Sequence, residues 1–196
     1  MVATPIGNLR DLSFRALDIL NEVDLILCED TRKSRILFNE FNIMTKYDSL
    51  HEFTSFKNIE KYVSFLEEGN SIALISDAGT PLISDPGFEI VKIAKEKNIF
   101  VNPLPGPSSV ISALVGSGLK IDKFIFEGFP PRKKQELENY LKCYLYEERT
   151  VVLFESPRRI KKLVQSVIEI LGKDRNVTLA KDCLLYTSDA ADDPTC

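Results

Sequence analysis

A five-residue apolar run, Ser71–Ile75 (SIALI), is followed by Ser76-Asp77-Ala78-Gly79-Thr80-Pro81-Leu82-Ile83-Ser84-Asp85-Pro86-Gly87 and then by Phe88–Asn98, in which Ile90, Val91, Ile93 and Ala94 share one helical face. No other stretch restricts the fold as much. A short apolar run reads as a buried strand, and a buried strand feeding a helix through a Gly/Pro loop is the unit of an α/β sheet. Two glycines, two prolines and two aspartates make the loop a rigid turn with exposed backbone groups. Asp85 is expected to cap the next helix, with Pro86 at its first position. Taken alone, the segment is equally well a sturdy turn with no further role.

Two loops of the same kind occur elsewhere. Thr4-Pro5-Ile6-Gly7-Asn8-Leu9 lies near the start, and Pro103-Leu104-Pro105-Gly106-Pro107-Ser108-Ser109 follows the strand-like Ile99–Asn102. In an α/β sheet such loops gather at the carboxyl ends of the strands, where ligands bind. Neither G-x-G-x-x-G nor G-x-x-x-x-G-K-[ST] is present, so a phosphate-cradling loop is not expected. A nucleotide-derived ligand that lacks phosphate, such as S-adenosylmethionine, stays open.

Strand and helix patterns alternate along the rest of the chain. Ser13–Val23, Thr31–Phe41, Asn58–Glu68 and Pro107–Leu119 read as helices, and Asp24–Cys28 and Lys46–Leu50 as strands. Gly69 is expected to end the third helix. After a hinge at Lys120–Asp122 a second unit reads as strand Phe124–Phe126, helix Lys134–Tyr146, strand Thr150–Phe154, helix Pro157–Leu171 capped by Ser156 and ended by Gly172, and strand Asn176–Ala180. The expected architecture is α/β with mainly parallel sheets in two domains, 1–119 and 123–182.

Charge and cysteine usage narrow the class. The net charge of −4 does not mark a nucleic-acid binder, but Arg132, Lys133 and Lys134 form one basic cluster and Arg158, Arg159, Lys161 and Lys162 another. Each is either a local phosphate-attracting patch or a solvated helix face. Cys28, Cys143, Cys183 and Cys196 lack C-x-x-C spacing, and with the single His51 they make a poor metal set; no metal is expected. Neither a membrane-length apolar run nor a signal-peptide pattern is seen, so a reduced, cytoplasmic protein without structural disulfides is expected.

TPIGNL, CEDTR (Cys28–Arg32), SDAGTPLISDPG, LPGPSS and FEGFPPRKK (Phe126–Lys134) occur in the order and spacing of the ribosomal RNA small subunit methyltransferase I family, within the tetrapyrrole methylase superfamily. The resemblance runs from Val2 to about Asp182. It implies two α/β domains of the tetrapyrrole methylase type with the methyl donor in the cleft between them, and a homodimer. It implies S-adenosylmethionine as donor and, as acceptor, a cytidine 2′-hydroxyl in the decoding region of 16S ribosomal RNA.

Donor contacts carry over to Pro5, Gly7, Asp77, Gly79, Thr80, Ile83, Ser109, Val110, Phe154 and Glu155. Where the superfamily has Gly-Asp-Pro, this chain has Gly79-Thr80-Pro81, so no carboxylate is expected there. Glu29, Asp30 and Arg32 are candidates for proton acceptance and alkoxide or phosphate binding, because CEDTR closes a strand; Asp30 is equally a helix cap. His51 is a weaker candidate base. Arg132, Lys133 and Lys134 are expected to contact RNA, with Phe126 and Phe129 either stacking on a base or packing in the core.

Two other readings stay open: a tetrapyrrole (precorrin-type) methyltransferase, and a truncated donor- or RNA-binding fragment without activity. Only Met1–Ala3 precede TPIGNL, so the first strand is expected to be clipped. Cys183–Cys196 (CLLYTSDAADDPTC) departs abruptly from the family pattern and is expected to be foreign to it.

Overall fold

The structure is a computed structural model that describes residues 1–181. The chain divides into two compact units, Met1–Ser109 and Val110–Lys181. The expected division after residue 119 lies just beyond the helix that opens the second unit, which ends at Gly116. The expected foreign segment, Cys183–Cys196, lies outside the described residues.

In the first unit, β1 (Leu25–Cys28), β2 (Tyr47–Ser49) and β3 (Ile72–Leu74) form a parallel sheet of order β2-β1-β3. The helices are α1 (Phe14–Glu22), α2 (Thr31–Glu40), α3 (Phe56–Glu67) and α4 (Phe88–Glu96). Side chains of a strand alternate between faces, and β1 uses both. Ile26 and Cys28 pack with Ala16, Leu20, Leu37 and Phe38 of α1 and α2. Leu27 packs with Ile59, Tyr62 and Val63 of α3 and Ile90 of α4. Ala73 and Leu74 of β3 divide in the same way. A parallel sheet covered on both sides reads in sequence as an unbroken apolar run, which is why LILC and SIALI are legible. Burying one leucine such as Leu20 or Leu27 (both 0% exposed) stabilises by roughly 2–3 kcal/mol. Ser13 accepts from the Ala16 N–H and Ser55 from the Asn58 N–H, each cap contributing about 1 kcal/mol.

The second unit contains α5 (Ser109–Gly116, whose first residue belongs to the first unit), β4 (Phe124–Gly128), α6 (Lys134–Lys142), β5 (Thr150–Leu153) and α7 (Ile160–Leu171). Strands β4 and β5 pair in parallel with a bulge between Phe126 and Gly128. Leu137, Leu141 and Leu163 form the buried cluster between α6 and α7.

Several expectations are corrected. Ile99–Asn102 forms no strand: the Ile99 N–H donates back to the Ala94 carbonyl of α4 (2.8 Å), and the bonds to the first residues, Met1 N to Asn102 O (3.0 Å) and Leu104 N to Met1 O (2.9 Å), are too few for a ladder. Asp85 and Pro86 do not start α4. Gly87 is its N-cap, at φ 119°, and no side chain caps the helix. The Ser156 hydroxyl does not cap α7 either. Its carbonyl accepts from the Arg159 and Ile160 N–H groups, so a turn precedes the helix. Asn176–Ala180 has no ladder partner among the described residues, and Val177 and Leu179 are exposed. Helices α5 and α6 are shorter than Pro107–Leu119 and Lys134–Tyr146.

Candidate functional site

Four segments meet at the carboxyl end of the first unit's sheet. Thr4 and Gly79 exchange backbone bonds of 2.9 and 3.0 Å, and the buried Thr4 hydroxyl donates to the Ser76 carbonyl (3.1 Å). The Thr80 hydroxyl donates to the Pro107 carbonyl (3.0 Å). The Asp77 carboxylate accepts from the Asp30 N–H (3.0 Å) and from Lys33 Nζ (2.6 Å). The Thr4, Ser76–Gly87, Pro107 and CEDTR segments are thus tied by bonds that span 27 to 75 positions of sequence.

The central loop is held in an uncommon backbone shape. Gly79, Leu82, Ser84 and Gly87 all lie at positive φ (89°, 73°, 69° and 119°). For Leu82 and Ser84 that region costs about 1–2 kcal/mol each. Strain of this kind persists only where surrounding contacts over-determine it. Gly87 is required twice over, since a Cβ there would also stand 2.6 Å from Leu74 Cδ2.

Carboxylates dominate the electrostatics. Burial pushes the Glu29 carboxyl above its ordinary value, and the charges of Asp77 and Asp85 add to the shift. Asp85 is raised too, by burial first; a hydrogen bond from Ser76 opposes the shift and the Asp77 charge adds to it. Asp30 goes the other way. Arg32 donates to it from its backbone N (2.9 Å), Nε (3.0 Å) and Nη2 (2.7 Å), holding Asp30 far below the usual carboxylate range. Asp30 is therefore the cap of α2 and the partner of Arg32. Lys33 pairs directly with Asp77 and Arg32 with Asp30, and Glu29 and Asp85 have no ion-pair partner among the described residues. This set suits a cationic ligand such as a sulfonium.

Beside the central loop, an open groove of about 1160 Å³ runs along the ends of β1 and β2. Glu29, His51, Phe53, Tyr62, Asp85 and Phe88 are among the residues that line it.

The proposed donor residues fall into three groups. Asp77, Gly79, Thr80 and Pro5 are drawn together in the first unit. Pro5 and Gly79 are buried and shape the site rather than face it. Gly7, Ile83 and Ser109 are exposed in the same unit. Val110, Phe154 and Glu155 belong to the second unit, with Val110 buried. The Glu155 side chain is 3% exposed; one oxygen accepts from the Ser156 N–H (2.7 Å) and the other lies 3.0 Å from Arg159. Arg159 also donates to the Pro130 and Pro131 carbonyls (3.3 and 3.1 Å), so it clamps the loop before the basic run and is no solvated-face residue. Arg132, Lys133 and Lys134 are exposed; Lys133 pairs with Glu136 (3.0 Å) and Lys134 lies 3.7 Å from Glu138. Phe126 and Phe129 both pack on the Phe154 ring.

Sequence reasoning missed Lys33, Ser84 and the groove aromatics. Lys33 resembles any exposed helix lysine until Asp77, 44 positions away, is placed beside it. Ser84 carries no sequence mark of a left-handed backbone.

This strand-end arrangement agrees with what the chain is similar to. The family model described as Tetrapyrrole (Corrin/Porphyrin) Methylases matches residues 1–185. Solved structures of a diphthine synthase (TM-score 0.64, 17% identity, covering 86% of this chain and 69% of that one) and of a cobalt precorrin-4 methyltransferase (TM-score 0.64, 18%, 88% and 74%) share the fold. Curated relatives named ribosomal RNA small subunit methyltransferase I are 43% identical in Escherichia coli O157:H7, 46% in Vibrio cholerae and 45% in Thermotoga maritima, each over 93% of this chain. The chain spans 64%, 63% and 81% of those relatives' lengths, respectively. The chain belongs to the tetrapyrrole methylase family and, within it, to the ribosomal RNA small subunit methyltransferase I group. Among the described residues no helix is long and apolar enough to cross a membrane.

Proposed function

We propose that this protein transfers a methyl group from S-adenosylmethionine to the ribose 2′-hydroxyl of a cytidine in the decoding region of small-subunit ribosomal RNA, acting as a homodimer. The observation that carries the reading is the joining of the Thr4, Ser76–Gly87 and Pro107 loops beside a carboxylate-rich strand end. The names of the relatives supply the acceptor class.

When bound, the donor supplies an electrophilic methyl group on a positively charged sulfur. The chain's own residues do the rest. Asp77, Gly79, Thr80 and Ile83 shape and line the donor seat, and the loop's bonds to Thr4 and Pro107 fix that seat before the donor arrives, so little ordering entropy is lost on binding. A rigid seat brings the reacting atoms into line, the largest available contribution to a displacement of this kind. Glu29 is the proton acceptor. Its raised carboxyl is a better base than an ordinary one, and it keeps a contact to the Asp77 backbone N–H. Asp30 orients Arg32 and caps α2. Exposed Arg132, Lys133 and Lys134 attract RNA phosphates.

The test is calorimetric titration of S-adenosylmethionine into the chain, followed by transfer of labelled methyl to small ribosomal subunits. Thr80→Arg abolishes donor binding by filling the seat. Thr80→Ala loses only the bond to Pro107 and weakens binding less than about fivefold. Unchanged affinity in Thr80→Arg, with the melting temperature retained, removes the central loop from the donor site.

A further inference from the structure

The groove beside the central loop is not used by the donor seat described above, and its lining is unusual. Phe53 and Phe88 stand 93% and 65% exposed, an apolar surface left uncovered in a groove whose walls mix carboxylates with Leu50, Ile59 and Ile90. Its volume of about 1160 Å³ lies above the roughly 300–1,000 Å³ of ordinary small-molecule sites, which suits a portion of a polymer.

The charges discriminate between portions of that polymer. Five carboxylates line the groove, Glu29, Asp48, Glu52, Asp85 and Glu89, against one lysine, Lys61, so a phosphate is repelled. A nucleobase is not. It carries no formal charge, offers a flat face to an aromatic ring, and in cytosine, adenine and guanine presents an exocyclic amine that a carboxylate accepts. The Asp48 carboxylate is already engaged by the Tyr62 hydroxyl (2.9 Å) and the Ser49 N–H (2.8 Å), whereas Asp85, in contact with the Ser76 side chain, belongs to the central loop itself and is the acceptor nearer the donor.

We propose that the groove seats an unstacked, amine-bearing RNA base of the acceptor, with Phe53 and Phe88 as its stacking surfaces, Asp85 receiving the amine, and Glu29 at the end where the ribose enters. The inference deepens the reading above and rests on it. It makes Phe53, Phe88 and Asp85 residues that determine specificity, separate from the donor seat.

Photo-crosslinking tests it. Single-stranded RNA carrying one 5-iodocytidine is irradiated with the folded chain in the presence of S-adenosylmethionine, and the crosslinked peptides are identified by mass spectrometry. Crosslinks are expected on peptides containing Phe53 or Phe88. The double variant Phe53→Ala/Phe88→Ala lowers that yield and the RNA affinity about tenfold, as loss of base stacking does; Phe53→Trp, which keeps an aromatic face there, retains both. Asp85→Asn lowers the preference for cytidine over uridine oligomers about fivefold. Both aromatics are exposed, so the variants keep the wild-type melting temperature and remain interpretable. RNA that binds but crosslinks only elsewhere, or equally well in the double variant, overturns this inference and leaves the proposed function standing. A folded wild-type chain that binds S-adenosylmethionine but no RNA overturns both.

Discussion

The first unit's sheet is covered on both faces, with two sets of buried side chains meeting Ile26 and Cys28 on one side and Leu27 and Leu74 on the other. The second unit's two-stranded sheet is not. No residue of β5 is buried, only Gly128 of β4 is, and its core cluster contains three buried leucines. Parallel strands need cover on both faces, and a two-stranded sheet has little stability of its own. The candidate donor loops and strained residues therefore sit on the better-supported unit. That is where strain can be held, because Leu82 and Ser84 at positive φ cost free energy that only a firm scaffold offsets.

The largest expected effect breaks this comparison most directly. Leu20→Ala and Leu141→Ala each remove a side chain at or below 1% exposure, and each costs roughly 2–5 kcal/mol. In the first unit Leu20 is one residue of a broad cluster, so the unit stays folded with a lower melting temperature. In the second, Leu141 belongs to a cluster of three, and its loss unfolds the unit locally. Hydrogen exchange reads the difference: Leu141→Ala strips protection from β4 and β5 while β1 and β3 keep theirs. Equal loss in both units would show that they fold as one and would remove the contrast.

The same contrast governs what was legible in the sequence. In the first unit LILC and SIALI announced β1 and β3, and the periodicity of Ile59, Tyr62 and Val63 announced α3, because each apolar residue has a packed partner. Gly69 and Gly172 ended their helices at φ 91° as their residue type implies. In the second unit Asn176–Ala180 has a strand's composition without a partner to pair with, and composition alone does not make a strand. Capping failed twice for one reason. Asp85 and Ser156 are good caps by type, but Gly87 intervenes at positive φ in one case and a turn closed by the Ser156 carbonyl intervenes in the other. Within the site, Glu29, Asp30, Asp77 and Thr80 were visible as motif residues. The Lys33–Asp77 pair and the groove with its uncovered Phe53 depend on which strands become neighbours, and no local pattern carries that.

A middle-sized effect sharpens the comparison from the second unit. Arg159 ties α7's first turn to the Pro130 and Pro131 carbonyls and stands 3.0 Å from Glu155 Oε2, a contact without hydrogen-bond alignment. Arg159→Met leaves a nearly buried carboxylate without its countercharge and is expected to cost about 3 kcal/mol. Glu155→Gln/Arg159→Met recovers most of that loss, because the stranded charge is gone. Denaturant melts of the two variants check this. A double variant no more stable than Arg159→Met would mean that the carbonyl bonds, not the buried charge, hold the elbow ahead of Arg132.

The smallest effect returns to the first unit and has the opposite sign. Glu29 and Asp85 have raised carboxyls, so between the ordinary carboxylate value and the raised one the folded chain binds more protons than the unfolded chain. Stability must therefore fall as pH rises through that window, which opens at about pH 4. Asp30, held low by Arg32, works in reverse: its contribution is present above the ordinary value of 3.8 and is lost as pH falls below it. Glu29→Gln removes the unfavourable ionisation at neutral pH. Because the group is partly exposed, the gain is small, a rise of roughly 1–2 °C in melting temperature at pH 7 and none near pH 4, where the native carboxyl is already protonated. The same substitution abolishes methyl transfer while leaving S-adenosylmethionine affinity within about twofold, since the proton acceptor lies outside the donor seat. A variant that melts lower at pH 7 would show that Glu29 stabilises the strand end it occupies, and the carboxylate cluster would then be a structural device of the better-covered unit instead of a burden that it carries for chemistry.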